Sequence, residues 1–399
     1  MGYVVGIIAL LIIISIIVSF HEYGHYSVAR LFNTRIDRFS VGFGKVLWSR
    51  RDKRGVEWAI SALPLGGYVK FAGDDNIASM APGFDELDAA RASITAREGA
   101  GAVSDYFHFK PLWQRFLIIL AGPAFNFILA IAIFSLLNMV LGSVIETPTV
   151  QGVLPNMPAQ AAGFKPGDVI RSVDGKDTPS VPDVIRLIAL RADTPTRVVV
   201  DRNHQLVSLV VTPRRGTIDT GDKRAHAQGG VVGLSLGGKA SYHRDNPISA
   251  VVDGAQETWE VVDTNLTYIG RIFTGKENGD QVTGIIGMTK AAGDIASDVG
   301  SEKESLADKS LEMTLRYVQL TALISIGVGF VNLLPIPILD GGHLVFYLIQ
   351  SVTKKPVSGR IQTAAFPIAV ALIVGLMLFA GWNDINHTGI AQYIGRLFS

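Results

Sequence analysis

Charge is distributed unevenly along this chain. Residues 4–20 carry no charged side chain, and neither do residues 116–141, 317–334 or 364–382. Each run is close to the roughly 20 apolar residues that a helix needs to cross a bilayer core of about 30 Å. The pattern therefore predicts four transmembrane helices. The first continues as helix through His25, beyond its apolar run, and the third ends at Pro335-Ile336-Pro337. Two prolines so close cannot sit in unbroken helix. A broken helix at membrane depth is tolerated where it is buried or lines a wet cavity, so this stretch predicts extended backbone beside a buried site.

The segments between the spans have other periods. Residues 57–70 hold two short apolar runs around Pro64 and Gly66-Gly67. They are too short to span and read as a re-entrant or interfacial β-hairpin. Residues 74–105 are rich in Ala, Gly and Asp without a period, which predicts a mobile cytoplasmic insertion. From 143 to 238, β-branched runs alternate with Gly, Pro and Asp turns. They predict strands at 150–153, 168–173, 197–201, 207–212 and 231–236, and a helix at 180–190 that turns Val184, Leu187 and Ile188 to one face. Residues 246–274 space Ile248, Val251, Val252, Val262, Leu266, Ile269 and Ile272 as an amphipathic helix. It either lies on the outer membrane surface or packs on the small β-rich domain. The implied division is 1–142, 143–240, 241–314 and 315–399. The fold class is an α-helical multi-pass membrane protein with a re-entrant β-hairpin and an inserted β-rich domain.

Composition agrees. Hydrophobic residues make up 48% of the 399 and charged residues 18%, which fits membrane spans joined to a sizeable soluble part. Lys and Arg (36) balance Asp and Glu (35), so bulk charge gives no reason to expect nucleic acid. Cysteine is absent, which excludes disulfides and thiolate metal ligands. The N-terminus lacks a basic n-region and a small-residue cleavage site, so the first span is expected to be retained. Arg30, Arg35, Arg38, Lys45, Arg50, Arg51, Lys53 and Arg54 follow that span, Lys110 and Arg115 precede the second, and Lys354, Lys355 and Arg360 separate the third from the fourth. Positive charge marks cytoplasmic loops. Both termini and the central segment are therefore expected outside the cytoplasm.

Chemistry enters at the end of the first span, in His21-Glu22-Tyr23-Gly24-His25. Two imidazoles one turn apart share a helix face and can hold zinc, with the intervening Glu as base. Catalytic zinc takes three protein ligands and keeps one position open. The predicted orientation brings Asp340, in Leu339-Asp340-Gly341-Gly342, to the same depth near the cytoplasmic side. Zn²⁺ on His21, His25 and Asp340, with Glu22 as the proton-transferring base, is the reading that explains both the spacing and the matching depth. Asn126 has two readings: a donor to a developing oxyanion, or helix–helix glue. His343 is either an orienting neighbour of Asp340 or an interfacial histidine. His108, His204, His226, His243 and His387 read as surface histidines.

These motifs together resemble the site-2 protease family of intramembrane zinc metalloproteases, its bacterial members above all. The resemblance rests on the H-E-x-x-H segment, Val41-Gly42-Phe43-Gly44, Pro64-Leu65-Gly66-Gly67-Tyr68-Val69-Lys70, Ala121-Gly122-Pro123-Ala124-Phe125-Asn126, and Asn332 with Leu339-Asp340-Gly341-Gly342-His343. Residues 159–170 look like the PDZ signature found in such proteases. The resemblance implies an inner-membrane enzyme with a periplasmic PDZ domain. It cleaves transmembrane segments of single-pass proteins, such as a pre-trimmed anti-sigma factor in a stress response or remnant signal peptides. It also implies substrate contacts at Asn126, Asn332, Pro335 and Pro337, and at Gly66, Gly67, Tyr68 and Val69 in the hairpin at 57–71. One PDZ signature is visible where some relatives have two, and residues 282–287 lack the Gly-Pro-Ile turn common there. The competing readings are a non-catalytic membrane PDZ scaffold and a metal-ion transporter that uses His21, His25 and Asp340 as an ion path.

Overall fold

The computed structural model describes residues 2–73, 84–219, 226–243, 246–280, 282–301, 305–355 and 357–387. The chain begins with α1 (Gly2–Leu31), which runs well past its apolar stretch. Strands β1 (Ile36–Arg51) and β2 (Glu57–Phe71) follow, then α2 (Phe84–Glu98), two short 3-10 turns, and α3 (Leu112–Leu141). The central part contains β3 (Ser143–Glu146), β4 (Thr149–Val153), α4 (Pro158–Ala161), β5 (Val169–Val173), β6 (Lys176–Asp177), α5 (Val181–Ala189), β7 (Thr196–Arg202), β8 (Gln205–Val211), β9 (Arg214–Asp219), β10 (His226–Val231), β11 (Leu234–Gly237), β12 (Ala240–His243) and α6 (Pro247–Phe273). The last stretch is helical: α7 (Ile285–Ser301), α8 (Leu306–Asn332), α9 (Asp340–Thr353) and α10 (Gly359–His387). Among the described residues four helices are long and apolar enough to cross a membrane: α1, α3, α8 and α10 over residues 361–386. The chain forms two compact units, residues 1–134 with 283–399, and residues 135–282.

In the helical unit the hairpin is larger than the sequence pattern suggests. β2 pairs with β1, which lies in a stretch read above for its positive charge and its Val41–Gly44 motif and not as a strand. Phe39 sits opposite both Val69 and Trp58, and Val41 opposite both Gly67 and Ile60, so two strands fold back into a sheet four segments wide. Asp52 closes the connecting turn, its carboxylate accepting from the amides of Arg54 and Val56 and from the Trp58 indole. Segment 67–71 is paired with β1 through one edge; its other edge faces α1.

The insertion read as mobile is in part ordered. Residues 74–83 lie outside the described residues. Beyond them α2 forms and buries Ile94 with Tyr106 and Ala72. Glu98 closes the contact, accepting from Arg35 and, at 3.0 Å, from the Tyr106 hydroxyl. Those partners, Arg35, Ala72 and Tyr106, lie outside residues 74–105, which is why the segment has no periodic signal of its own. A second tie is long-range: Asp384 on α10 accepts from the amides of Gly284 (3.1 Å) and Gly287 (2.9 Å) and so caps the start of α7. This is the place where the Gly-Pro-Ile turn is missing.

The central unit is built around a sheet of order β11-β4-β5-β7-β8, with β6 on β5. Alternating Val and Ile residues of its strands (Val150, Ile170, Val173, Val198, Val200) meet Val184, Leu187 and Ile188 of α5 in one core. Ser180 and Asp183 form a capping box at the start of α5. Of the two readings left open for α6, packing on the small domain is the one its polar side adopts. Arg271 donates to the Ala192 carbonyl at 2.8 Å and pairs with Glu277, Asp263 pairs with Lys176, and Glu260 with Arg186 at 3.4 Å. Ile248, Val251, Val252, Trp259 and Leu266 of α6 stay exposed.

Asp168 anchors this unit. It is fully buried, receives two hydrogen bonds from Arg202 (2.7 and 2.8 Å) and one from the Lys165 amide (2.9 Å). Removing one partner of a buried charged pair strands the other. Asp168→Ala is expected to cost the central unit about 3 kcal/mol, read as a lowered denaturant midpoint for this unit in the full chain. A midpoint equal to wild type would contradict the anchoring role.

Candidate metal centre

Helix α1 puts His21 and His25 four residues apart, hence on one face and one turn from each other. Both are buried. The face they occupy is covered by α3, and the helices approach at glycines. A Cβ at Gly24 would stand 2.4 Å from the Ala121 carbonyl oxygen; one at Gly122 would stand 2.3 Å from His25 Nε2 and 2.7 Å from His21 Nε2. Larger residues at either place would push the helices apart.

Asp340 arrives from α9, whose first residue it is. The stretch before it was expected to be extended. The break at the prolines is present, but the backbone is a run of tight turns: Leu333 donates to Gly329, Ile336 to Leu334 at 2.7 Å, and Leu339 to Ile336 at 2.8 Å. Pro has no N–H to give to a ladder, and the turns pair the amides of Leu333, Leu334, Ile336 and Leu339 with nearby carbonyls. Gly341 and Gly342 let the start of α9 pack against this turn, since a Cβ there would lie 2.3 Å from the carbonyl oxygens of Leu334 and Ile336.

The three side chains meet. His21 Nε2 and His25 Nε2 are 3.1 Å apart, and Asp340 Oδ2 lies 3.0 Å from the first and 3.5 Å from the second. Among the described residues this is the one group of three such side chains with metal-ligand convergence. Tetrahedral zinc bonds of about 2.0–2.1 Å separate ligand atoms by about 3.3 Å, close to the spacing found. The electronic state also fits. His25 Nδ1 is 2.8 Å from the Ile118 carbonyl. A carbonyl only accepts, so Nδ1 carries the proton and Nε2 of the neutral ring presents a lone pair. Asp340 Oδ2 is buried without a hydrogen-bond partner. Electron pairs converging in a buried space call for a cation between them, and two imidazoles and a carboxylate suit zinc.

Glu22 projects next to this cluster and is tied to the hairpin. Its Oε2 accepts from the Val69 amide at 3.0 Å. Ser15, two turns earlier on α1, donates to the Pro64 carbonyl at 2.6 Å. The edge of segment 67–71 thus runs along α1 past Glu22. Of the hairpin residues singled out above, Gly66 packs beside Val18 and Phe43, and Tyr68 stacks on Phe43 and accepts from Arg38 at 3.2 Å. A Cβ at Gly67 would stand 2.5 Å from the Ser40 carbonyl oxygen.

Asn126 is fully buried, with its amide nitrogen 3.1 Å from His21 Nδ1. Asn332, Pro335 and Pro337 lie on the turn that seats Asp340; the described contacts join none of them to the imidazoles. His343 is half-buried, edge-on to Phe346, and the described hydrogen bonds include none from it to Asp340. His204 is exposed as expected. The side chains of His226, His243 and His387 lie outside the described residues. His108 departs from the surface reading. It is largely enclosed, and burial, with Arg115 and His343 nearby, pushes its pKa down to about 4. Its neighbour Phe107 is fully buried and stacks on Phe71, a contact absent from the local pattern.

Comparison with known proteins is consistent across the chain. The model of peptidase family M50 matches residues 9–376. The metalloprotease MmpA of Caulobacter vibrioides is 43% identical over 400 residues, covering all of both chains. Proteins that bear the name zinc metalloprotease in Agrobacterium fabrum and Rhizobium meliloti are 37% and 35% identical, covering 96% and 94% of this chain and 97% and 95% of theirs.

Two outcomes follow from the geometry. Gly122→Ala is expected to abolish high-affinity metal binding, measured by metal content after chelator competition, because a methyl group would occupy the space against both Nε2 atoms. Retention of wild-type affinity would contradict that placement. His108 titrates near its ordinary 6.5 when unfolded and near 4 when folded. Between those values the unfolded chain binds a proton that the native chain does not, so stability is full above about pH 6.5 and declines as pH falls toward 4. His108→Gln is expected to flatten the pH dependence of the thermal midpoint in that window; an unchanged slope would exclude His108 as a source.

Proposed function

The chain belongs to peptidase family M50, the site-2 proteases, and is a zinc metalloprotease with four helices able to span a membrane; from that premise we propose that it cleaves transmembrane segments of single-pass membrane proteins. The observation that carries this reading is the position of the metal cluster. His21 and His25 lie in the same helix as the uncharged run 4–20, one and five residues beyond its end, and both are buried. A soluble substrate would not need its catalytic centre there. Membership of a peptidase family favours hydrolysis over the scaffold and transport readings.

In this proposal His21, His25 and Asp340 hold zinc. When bound, zinc supplies Lewis-acid activation of water and of the scissile carbonyl. Glu22 takes the proton of the attacking water and delivers it to the leaving amine. A transmembrane helix hides its peptide bonds in its own hydrogen bonds, so the substrate must unwind, and its freed groups need partners in a medium without water. The edge of segment 67–71 that faces α1 offers those partners by strand addition. Because Val69 donates to Glu22, a strand added there lies beside the base. A substrate carbonyl that takes the Val69 N–H frees the Glu22 carboxylate for proton transfer.

The finer assignments are part of the same proposal. The base and cluster lie toward the cytoplasmic face of the bacterial inner membrane, with the termini and the central unit in the periplasm, on the strength of the flanking positive charge. The central unit acts as a PDZ domain that excludes untrimmed substrates. The exposed apolar side chains of α6 suit a membrane surface. Substrates include an anti-sigma factor after trimming and remnant signal peptides.

The test uses the full chain in liposomes with a single-pass reporter. Glu22→Gln is expected to retain about one zinc per chain and to lose cleavage by at least about 10²-fold. Asp340→Ala is expected to lose both. Wild-type cleavage by Glu22→Gln would refute the assignment of the base, and cleavage restricted to soluble peptides would refute the substrate class.

A further inference from the structure

Two imidazoles can bind one cation through Nε2 only if each carries its proton on Nδ1. For His25 the requirement is met by the main chain. Pro123 lies inside α3 and removes the N–H that Ile119 would accept, and the adjacent Ile118 carbonyl accepts from His25 Nδ1 at 2.8 Å. Among the described residues no main-chain oxygen takes that role for His21. Its Nδ1 faces the side chain of Asn126, two turns beyond Ile118 on the same helix.

The amide as placed gives its nitrogen to Nδ1, at 3.1 Å, and leaves Oδ1 buried without a partner. An amide nitrogen only donates. In that arrangement Nδ1 accepts, the proton of the neutral ring sits on Nε2, and the lone pair is unavailable where Asp340 and His25 converge. A half-turn of the amide exchanges oxygen and nitrogen without changing its shape. Oδ1 then accepts from Nδ1–H, and Nε2 is free to coordinate.

We infer that Asn126 is a positioning residue whose side-chain carbonyl fixes the tautomer and ring orientation of His21. The inference rests on the proposed zinc site. Ligating histidines commonly give their second N–H to a carbonyl or carboxylate, and losing that partner weakens metal affinity about 10–100-fold. The residue is held for the task. It is fully buried, and its main-chain carbonyl accepts from Ser325 of α8 at 2.8 Å. This differs from contact with substrate: Asn126 acts through His21.

The experiment compares full-length wild type, Asn126→Leu, Asn126→Asp and Asp340→Ala in detergent, reading the zinc dissociation constant by chelator competition and the absorption spectrum of the cobalt-loaded protein. Leucine keeps the shape without an acceptor; aspartate keeps the acceptor. The expected pattern is affinity about 10–100-fold weaker with an altered cobalt spectrum for Asn126→Leu, and near-wild-type values for Asn126→Asp. If Asn126→Leu does not fold, Asn126→Ala is read in its place with the same expectation. Equal losses in the leucine and aspartate variants would mean that the amide serves packing. Unchanged affinity and spectrum in both would mean that it does not act through His21. Either result overturns the inference. Unchanged zinc binding by Asp340→Ala would instead overturn the site itself.

Discussion

The structure depends on bringing a carboxylate and two imidazoles together, with Asp340 Oδ2 and both Nε2 atoms converging on one buried point. Without a cation that contact needs a proton on one of the nitrogens. With one it joins α1 to the start of α9, segments more than 300 residues apart in sequence. Helix packing has to place the atoms near 3 Å separations before the metal contributes anything. The close approach of α3 at Gly24 and Gly122, and of α9 at Gly341 and Gly342, supplies that placement. In this setting a missing side chain is the functional feature.

A second constraint is main-chain satisfaction beside the buried metal-ligating side chains. An unmade backbone hydrogen bond away from water is expensive. The chain meets this in two ways. The turn before α9 folds its own carbonyls and amides onto each other. The hairpin gives one edge to β1 and ties the other to side chains of α1, through Ser15 and Glu22. The same arrangement leaves a sheet edge that a partner strand can take over by exchanging one hydrogen bond for another, a far smaller cost than exposing an unpaired amide. The base of the proposed reaction and the edge proposed to receive the substrate are thus linked by one contact.

The central unit follows ordinary soluble rules. Alternating strand residues and one stripe of α5 make its core, and buried ion pairs such as Asp168 with Arg202 fix its turns. It is inserted within α3 and before α7 in the chain order, and α6 is held to it by arginine-centred polar contacts rather than by its apolar side chains. Those apolar residues remain available to another surface.

By itself the sequence determined what repeats locally or is limited by the solvent. The four spans came from hydropathy, because a bilayer of fixed thickness demands a minimum run. The His21 and His25 pair came from helical period, and α5 from its stripe and cap. Asp340 was legible from the expected direction of two spans and from its Leu339-Asp340-Gly341-Gly342 motif. Tertiary structure decided the rest. The partner strand β1 sat in a stretch dominated by arginines, whose sheet role depends on β2. The ordering of α2 depends on Arg35 and Tyr106, and the enclosure of His108 on a fold that packs its neighbour Phe107 against Phe71. The tautomer partner of His21 lies 105 residues away. Such contacts join positions with no common period, so their energies exist only once the chain has closed the distance between them.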